Sequence, residues 1–386
     1  MLEQENSRLR ILVLNYEFPP VGGGGGRVAE DICRVLATHG HEIRVQTSLV
    51  RGLPKLEHRD GYSIYRTFSF RRRADRCTVP EMAAFVITNF LPSLRHVIRW
   101  RPHLIHVHFA VPTGVVAWAV SVITGIPYVL TVHLGDVPGA IPEQTAHLFR
   151  IVKPFTFPIW RRASRVTAVS EFVRQLALAS YDVEIEMLPN GIELIQCTPS
   201  PSAPNTPRRL VFAGRFNPQK NLFFLLDLLD RVVDLEWRLD MLGDGDLMEA
   251  VRARLQGTRL EKRVCLHGWV APERVSEVMS QSDILILPSI VEGMPVVGVK
   301  ALGHGLAILG SDIPGLADVV QNGINGSLCP VNDSDAFERA LRTMLMSDDI
   351  LRRMKAASRE MALKFDLQMI TCRYEKIFQE IGVTCK

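Results

Sequence analysis

Twice along this chain a short apolar, β-branched run leads into a glycine- or proline-rich loop and then into a helical pattern. Arg10–Tyr16 (RILVLNY) is such a run. Pro19, Pro20 and the five glycines Gly22–Gly26 follow it, and a helical pattern covers about Arg27 to Gly40. Further runs of strand length lie at Glu42–Ser48, Leu104–His108, Pro127–Val132, Arg165–Val169 and Ile185–Leu188, most of them separated by helical patterns. Thr198–Pro207 (TPSPSAPNTP) has no periodicity and reads as a linker by composition. The alternation then restarts with Arg209–Ala213, Arg238–Leu242, Arg263–Leu266, Asp283–Leu287 and Ala307–Leu309. Strand–helix alternation demands βαβ units and a parallel sheet buried on both faces. The expected class is therefore α/β, with two Rossmann-like domains. Amphipathic helices are expected over Ser334–Lys364 and Leu367–Ile381. Open sheets of this kind bind ligands beyond the carboxyl ends of their strands, and two facing domains would make a cleft.

The 386 residues, 47% hydrophobic and 22% charged, suffice for two cores. A net charge of +4 does not call for nucleic acid. The charge is uneven: Arg51–Arg101 holds 11 Lys/Arg against 4 Asp/Glu, an excess of seven. Seven cysteines without a CxxC pair suggest a reducing, cytoplasmic setting. Met1–Arg10 is polar and lacks the apolar core of a signal peptide, and no uncharged apolar stretch is long enough for a transmembrane helix.

Candidate chemistry sits in the loops after strands. Gly23, Gly24 and their neighbours let a backbone approach a phosphate or an acceptor at a helix N-terminus. The spacing is not GxGxxG with a following acidic residue, so a dinucleotide-dependent oxidoreductase is disfavoured. His133 and Asp136 follow the run ending at Val132 and would project into a cleft, although Asp136 could equally cap a helix. His106 and His108 share a strand face but have no third ligand in sequence, so a metal is not expected there. Arg215 and Lys220 flank a strand-end turn. A guanidinium fork and a point charge together suit a diphosphate. Leu287–Ala301 (LPSIVEGMPVVGVKA) ends a strand in a loop with Glu292 and Gly293, and Pro295 is expected to open a helix. A carboxylate beside free amide donors suits a sugar hydroxyl and a phosphate together.

Together with AVSE at Ala168–Glu171, LPNGI at Leu188–Ile192, AGR…KN at Ala213–Asn221, GDG at Gly243–Gly245, HGWV at His267–Val270 and PSxxEG at Pro288–Gly293, these segments resemble the retaining glycosyltransferases of family 4, which have the GT-B fold. The resemblance runs through almost the whole chain. It implies an acceptor-binding domain over 1–193, with a C-terminal helix 366–386 packing back on it, and a donor-binding domain over 194–365. It implies transfer of a hexosyl-type sugar from a nucleoside-diphosphate sugar, with retention, to a glycan, lipid-linked or small-molecule acceptor. Arg215 and Lys220 should hold the diphosphate. Glu292 should bind sugar hydroxyls beside the backbone of Gly293 and Met294, and the helix after Pro295, from Val296, should face the phosphates. His133 should lie near the transferred sugar and, with Gly23, Gly24 and Asp136, near the acceptor. No cofactor and no metal are required.

One position departs from the pattern. The family places a second glutamate eight residues after the first, usually on the ribose, and here Lys300 stands there. A lysine ammonium has donors only and cannot accept from a ribose diol. Either the ribose is held differently, or Lys300 joins the donor-binding residues by reaching another anionic group, or donor binding is impaired; the alternative reading is a non-catalytic, sugar-nucleotide-binding or scaffold member. Finally, Arg71–Arg73, Arg76, Arg95, Arg99 and Arg101 lie near the apolar run Met82–Trp100. Such a basic, apolar surface could meet anionic lipid, which makes a peripheral place on the inner face of the membrane the alternative to a freely cytoplasmic one.

Overall fold

The computed structural model describes residues 8–74, 76–139 and 156–384. The chain divides into two compact units, Met1–Gly191 with Leu367–Lys386, and Ile192–Asp366.

In the first unit eight strands form one sheet: β1 Arg10–Leu14, β2 Glu42–Leu49, β3 Leu56–Arg59, β4 Tyr62–Phe68, β5 Leu104–His108, β6 Tyr128–Val132, β7 Arg165–Ala168 and β8 Ile185–Met187. Their order is β3-β4-β2-β1-β5-β6-β7-β8, and all pairs are parallel except β3 with β4. From β1 the chain winds one way to β2 and then returns to lay β5 on the other side of β1. The order therefore reverses between β1 and β5, which is where such sheets open a crevice. The β1, β5 and β6 runs are apolar because helices cover both faces: Ile11, Leu12, Ile105 and Val129 are fully buried. Each such side chain contributes about 1.5–3 kcal/mol.

The hairpin β3–β4 was not expected from apolar periodicity. The edge strand β3 is polar, and in β4, between β3 and β2, buried Tyr62 and Ile64 alternate with partly exposed Ser63, Tyr65 and Thr67. Asp60 and Gly61 both take positive φ at its turn, the backbone that a tight two-residue hairpin requires.

The second unit has six parallel strands: β9 Arg208–Ala213, β10 Trp237–Leu242, β11 Val264–Gly268, β12 Ile284–Leu287, β13 Ala307–Ser311 and β14 Gly326–Cys329. Their order is β11-β10-β9-β12-β13-β14, so this sheet reverses between β9 and β12. The Pro/Ser-rich stretch after Thr198 is not a free linker. His304 Nδ1 bonds the Thr198 carbonyl at 2.7 Å, and the Ser200 N–H donates to the His304 carbonyl at 2.8 Å. Further on, the backbone N–H groups of Asn205 and Arg209 donate to Asp283. Asp283 is fully buried and also pairs with the buried Lys355 at 3.0 Å. Proline and serine suppress secondary structure here without freeing the segment. The expected single helix over Ser334–Lys364 is two, Ser334–Met346 and Asp348–Ala362, because Ser347 leaves helical geometry and its hydroxyl accepts from Ile350 N–H. The chain ends in a helix over Leu367–Thr384, which belongs to the first unit.

Candidate functional site

Each sheet presents its chemistry-bearing loops at its own reversal point. In the second unit the loop after β9 carries Arg215 and Lys220, and the loop after β12 carries Glu292. Lys220 Nζ forms an ion pair with Glu292 Oε1. Both side chains are mostly covered, at 16% and 12% exposure. The lysine stem lies over Gly214, where an added Cβ would stand 3.4 Å from Lys220 Cε. Arg215 is exposed, and the loop around it is braced from below. Phe216 N–H donates to the Asp244 carbonyl at 2.9 Å, and Leu247 N–H donates back to the Phe216 carbonyl at 3.0 Å. The GDG turn therefore supports the β9 loop. The next helix begins at Met248, and Leu247 rather than Asp246 stands at its N-cap position.

Glu292 is fixed from the other side by a residue that the sequence reading missed. A Cβ on Gly315 would lie 1.9 Å from the Glu292 carbonyl oxygen, so only glycine lets the turn after β13 pack there. Gly293, Met294 and Pro295 are buried. The helix runs Val296–His304 and Pro295 is its N-cap, one place earlier than the expected first helical position. The free amides of that first turn lie just after Glu292 in the chain. Lys300, on the second turn, donates to the Pro272 carbonyl at 3.2 Å.

In the first unit the glycine-rich loop after β1 meets the ends of β5 and β6. The helix Gly24–Thr38 starts at Gly24 with Gly23 as its N-cap, earlier than Arg27. A Cβ on Gly26 would stand 2.1 Å from the Glu17 carbonyl oxygen, and one on Gly25 would meet Phe109 at 2.5 Å and His133 Cε1 at 3.3 Å. Gly25 thus lets the first turn of this helix lie directly on His133. The His133 ring packs at 4.4 Å from that of Phe109, and its Nε2 is 3.3 Å from His108 Nδ1. His133 is buried, and burial lowers its pKa to about 4, so the ring is neutral at physiological pH.

The expectation that Asp136 projects into a cleft gives way here. Its carboxylate is buried and accepts from the backbone N–H groups of Ala110 (2.7 Å), Val111 (3.4 Å) and His133 (2.8 Å). Burial pushes its pKa up to about 7, against the pull of those three donors. Its work is to tie the end of β6 to the end of β5 and so to set the backbone of His133. Gly23, the N-cap, and Gly24, the first helical residue, directly precede Gly25.

Arg71 was grouped with a basic surface in sequence, but its guanidinium is buried. It donates to the Tyr16 carbonyl at 3.0 Å and to the Ala74 carbonyl at 3.2 Å, and it stands 3.7 Å from Glu17. Glu17 accepts from Gly23 N–H at 3.1 Å, and Gly22 N–H donates to the Ala74 carbonyl at 2.7 Å. Arg71 and Glu17 therefore hold the glycine loop in shape. Charge density carries no hint of this role, because a buried arginine and a solvated one look alike in sequence.

Comparisons with known proteins agree with this layout. Residues 22–196 match Glycosyltransferase Family 4, and residues 198–361 match Glycosyl transferases group 1. The chain is 24% identical over 388 residues to a phosphatidyl-myo-inositol mannosyltransferase of Mycobacterium leprae, covering 97% of each. It is 24% identical over 393 residues to an N-acetyl-alpha-D-glucosaminyl L-malate synthase of Bacillus anthracis, again covering 97% of each. Among solved structures it resembles sucrose-phosphate synthase from Thermosynechococcus elongatus, with a TM-score of 0.84, 18% identity and coverage of 98% of this chain and 100% of that one. It also resembles Anabaena HepE in complex with UDP and glucose, with a TM-score of 0.76, 17% identity and coverage of 97% and 100%.

Proposed function

Because this chain belongs to the group 1 glycosyltransferases of family 4 type, with the GT-B fold, we propose that it moves a hexosyl-type sugar from a nucleoside-diphosphate sugar to an acceptor with retention of configuration. The observation that carries this reading is the Lys220–Glu292 pair at the reversal point of the second sheet, beside exposed Arg215 and the start of the helix Val296–His304. Arg215 and Lys220 take the diphosphate. Glu292, released from part of its pairing when phosphate engages Lys220, accepts from sugar hydroxyls, while the amides of Gly293 and Met294 donate. The turn that Pro295 opens directs the N–H groups of Val296 and Val297 toward the phosphates. In the transfer, the bond from the anomeric carbon to the phosphate oxygen breaks and the acceptor oxygen bonds the same face. The leaving phosphate takes the acceptor proton, so no protein nucleophile and no metal are required. The first unit supplies the acceptor half: Gly23 and Gly24 offer backbone, and His133 offers a neutral ring. Asp136 acts there through the backbone of His133. Lys300 is occupied by the Pro272 carbonyl and leaves the ribose to other groups.

One of the two relatives is named for a phospholipid and the other for a small acid, which supports keeping glycan, lipid-linked and small-molecule acceptors together. A thermal-shift screen over nucleoside diphosphates and their sugars tests donor binding, because a ligand specific to the native state raises the midpoint. Release of nucleoside diphosphate from the bound donor then tests turnover. Absence of both sinks the proposal. Binding without release would favour the non-catalytic alternative.

One observation supports a membrane-surface acceptor. The helix Val79–Trp100 buries Phe85, Asn89, Ser93 and Val97, yet leaves Ile87 (75%), Leu91 (63%) and Ile98 (59%) exposed. At 100° per residue those three share one face, with Arg95 and Arg99 alongside. No helix among the described residues is long and apolar enough to cross a membrane. Sedimentation with anionic against neutral liposomes should show anionic-dependent binding that the double change Ile87→Asp, Leu91→Asp abolishes. Equal sedimentation with both would end this reading.

A further inference from the structure

The first helix of the chain ends at Thr38, and His39 and His41 follow it. The C-terminal helix brings Gln368, Cys372 and Glu375 to this turn, at positions i, i+4 and i+7 of one face. His39 Nδ1 lies 2.8 Å from Glu375 Oε2, and His39 Nε2 lies 3.3 Å from Gln368 Oε1. One ligating atom each from His39, Cys372 and Glu375 lies within 4.8 Å of the others. His41 Nδ1 accepts from Leu9 N–H at 3.1 Å, so its Nε2 carries the proton and donates to Glu375 Oε1 at 3.0 Å. One carboxylate oxygen is thereby fixed from behind, while the other is turned to His39.

An imidazole nitrogen, a thiolate and a carboxylate oxygen are the donor types that bind zinc, and a histidine donating to the far oxygen of the carboxylate, as His41 does, orients such a ligand. A thiolate and a carboxylate together also neutralise a divalent ion. Cys372 is exposed and His39 is partly so, which leaves an entry path and a position for water. A second group of similar composition, Asp240, Cys265 and His267, is less suited. There the Arg209 guanidinium already stands 3.6 Å from Asp240.

We propose that His39, Cys372 and Glu375 form a site for one thiophilic divalent cation, zinc by preference, that fastens the C-terminal helix to the turn after the first helix. On binding, the Cys372 thiol gives its proton to solvent, and the ion replaces the His39–Glu375 hydrogen bond. No electron transfer is involved. None of these three residues is among those proposed for sugar transfer, and the inference does not depend on that reading.

The test uses the full chain, stripped of metal and kept reduced with a phosphine. Titration with Co²⁺ should raise a thiolate-to-cobalt charge-transfer band in the near ultraviolet that saturates at about one equivalent and is displaced by Zn²⁺. Cys372→Ser should abolish the band, His39→Asn should weaken affinity roughly tenfold or more, and Cys265→Ser should leave the band intact. Zn²⁺ should raise the thermal midpoint of the wild type and not that of Cys372→Ser, whose fold is checked by far-ultraviolet circular dichroism. Absence of the band, its survival in Cys372→Ser, or its loss in Cys265→Ser would overturn the proposal.

Discussion

Lys220, on the loop after β9, pairs with Glu292, on the loop after β12, and so closes the reversal point of the second sheet with one cation and one carboxylate. Neither side chain is well solvated, so removing one partner leaves the other charge short of compensation. Glu292→Gln and Lys220→Met are each expected to cost about 1–3 kcal/mol of stability, read by denaturant unfolding. Their effect on transfer should be larger, about 10²–10³-fold in kcat, because both groups are proposed to act on charge and hydroxyls at the reacting sugar. Lys220→Met should also raise the donor Kd. A variant with unchanged kcat and donor affinity would remove that residue from the proposed chemistry.

The glycine loop of the first unit makes a sharper steric prediction. Gly26→Ala would put a Cβ 2.1 Å from the Glu17 carbonyl oxygen, a backbone atom held in turn by the loop that Arg71 braces. The loop must shift, at about 1–3 kcal/mol of stability, and the helix start at Gly24 shifts with it. Activity should fall with it. Gly135→Ala is the control, because nothing lies within 4 Å of its added Cβ. It should stay within about 0.5 kcal/mol of wild type. Equal stability of the two variants would refute the packing account.

Lys300 separates the active reading from the scaffold reading. Its ammonium donates to the Pro272 carbonyl, which a glutamate cannot replace. Lys300→Glu should lose about 1 kcal/mol of stability and gain no donor affinity. The measurement is donor Kd by calorimetry for both proteins. Binding by the mutant alone would show that the wild-type site is disabled and would favour a non-catalytic role.

Much of this was legible in the sequence, for local reasons. The apolar runs of β1, β5, β6, β9 and β12 announce buried parallel strands, and loops that follow them necessarily fall at the carboxyl edge of the sheet. That rule alone places Arg215, Lys220, Glu292 and His133 at strand ends. The edge hairpin β3–β4 was hidden because half-exposed strands carry polar residues, although Asp60–Gly61 signalled its turn. Ser347 was a visible cap inside a pattern that periodicity alone runs together. Arg71, Asp136 and Gly315 could not be read, because their work depends on partners far away in the chain: the Tyr16 carbonyl, the Ala110 amide and the Glu292 backbone.

The histidines behind His133 predict how the protein responds to acid. His106 is fully buried against the rings of Tyr374 and Phe378, with Nε2 at 2.9 Å from Thr131 Oγ1. Burial, and then the neighbouring His133, lower its pKa to about 3. His108 is likewise held well below its ordinary value, chiefly by burial. In the unfolded chain these rings titrate at about 6.5. Between that value and about 4 the unfolded state therefore binds protons that the folded state does not, so stability is full above pH 6.5 and falls as pH drops. Asp136 works in the opposite direction. Its carboxyl keeps a proton up to about 7 in the fold, so this group favours the folded state as pH falls from 7 toward the ordinary carboxylate range. Among these four groups, His106, His108 and His133 outweigh one carboxyl, and together they should cost roughly 1–3 kcal/mol per pH unit below 6.5. His106→Phe suits the aromatic surroundings and leaves Thr131 its bond to Thr167 at 2.8 Å. It should remove one proton from the linkage and flatten the slope by about 1.4 kcal/mol per pH unit. Unfolding free energies of both proteins from pH 7 to 4.5 make the comparison, and identical slopes would show that His106 is not held neutral in the fold.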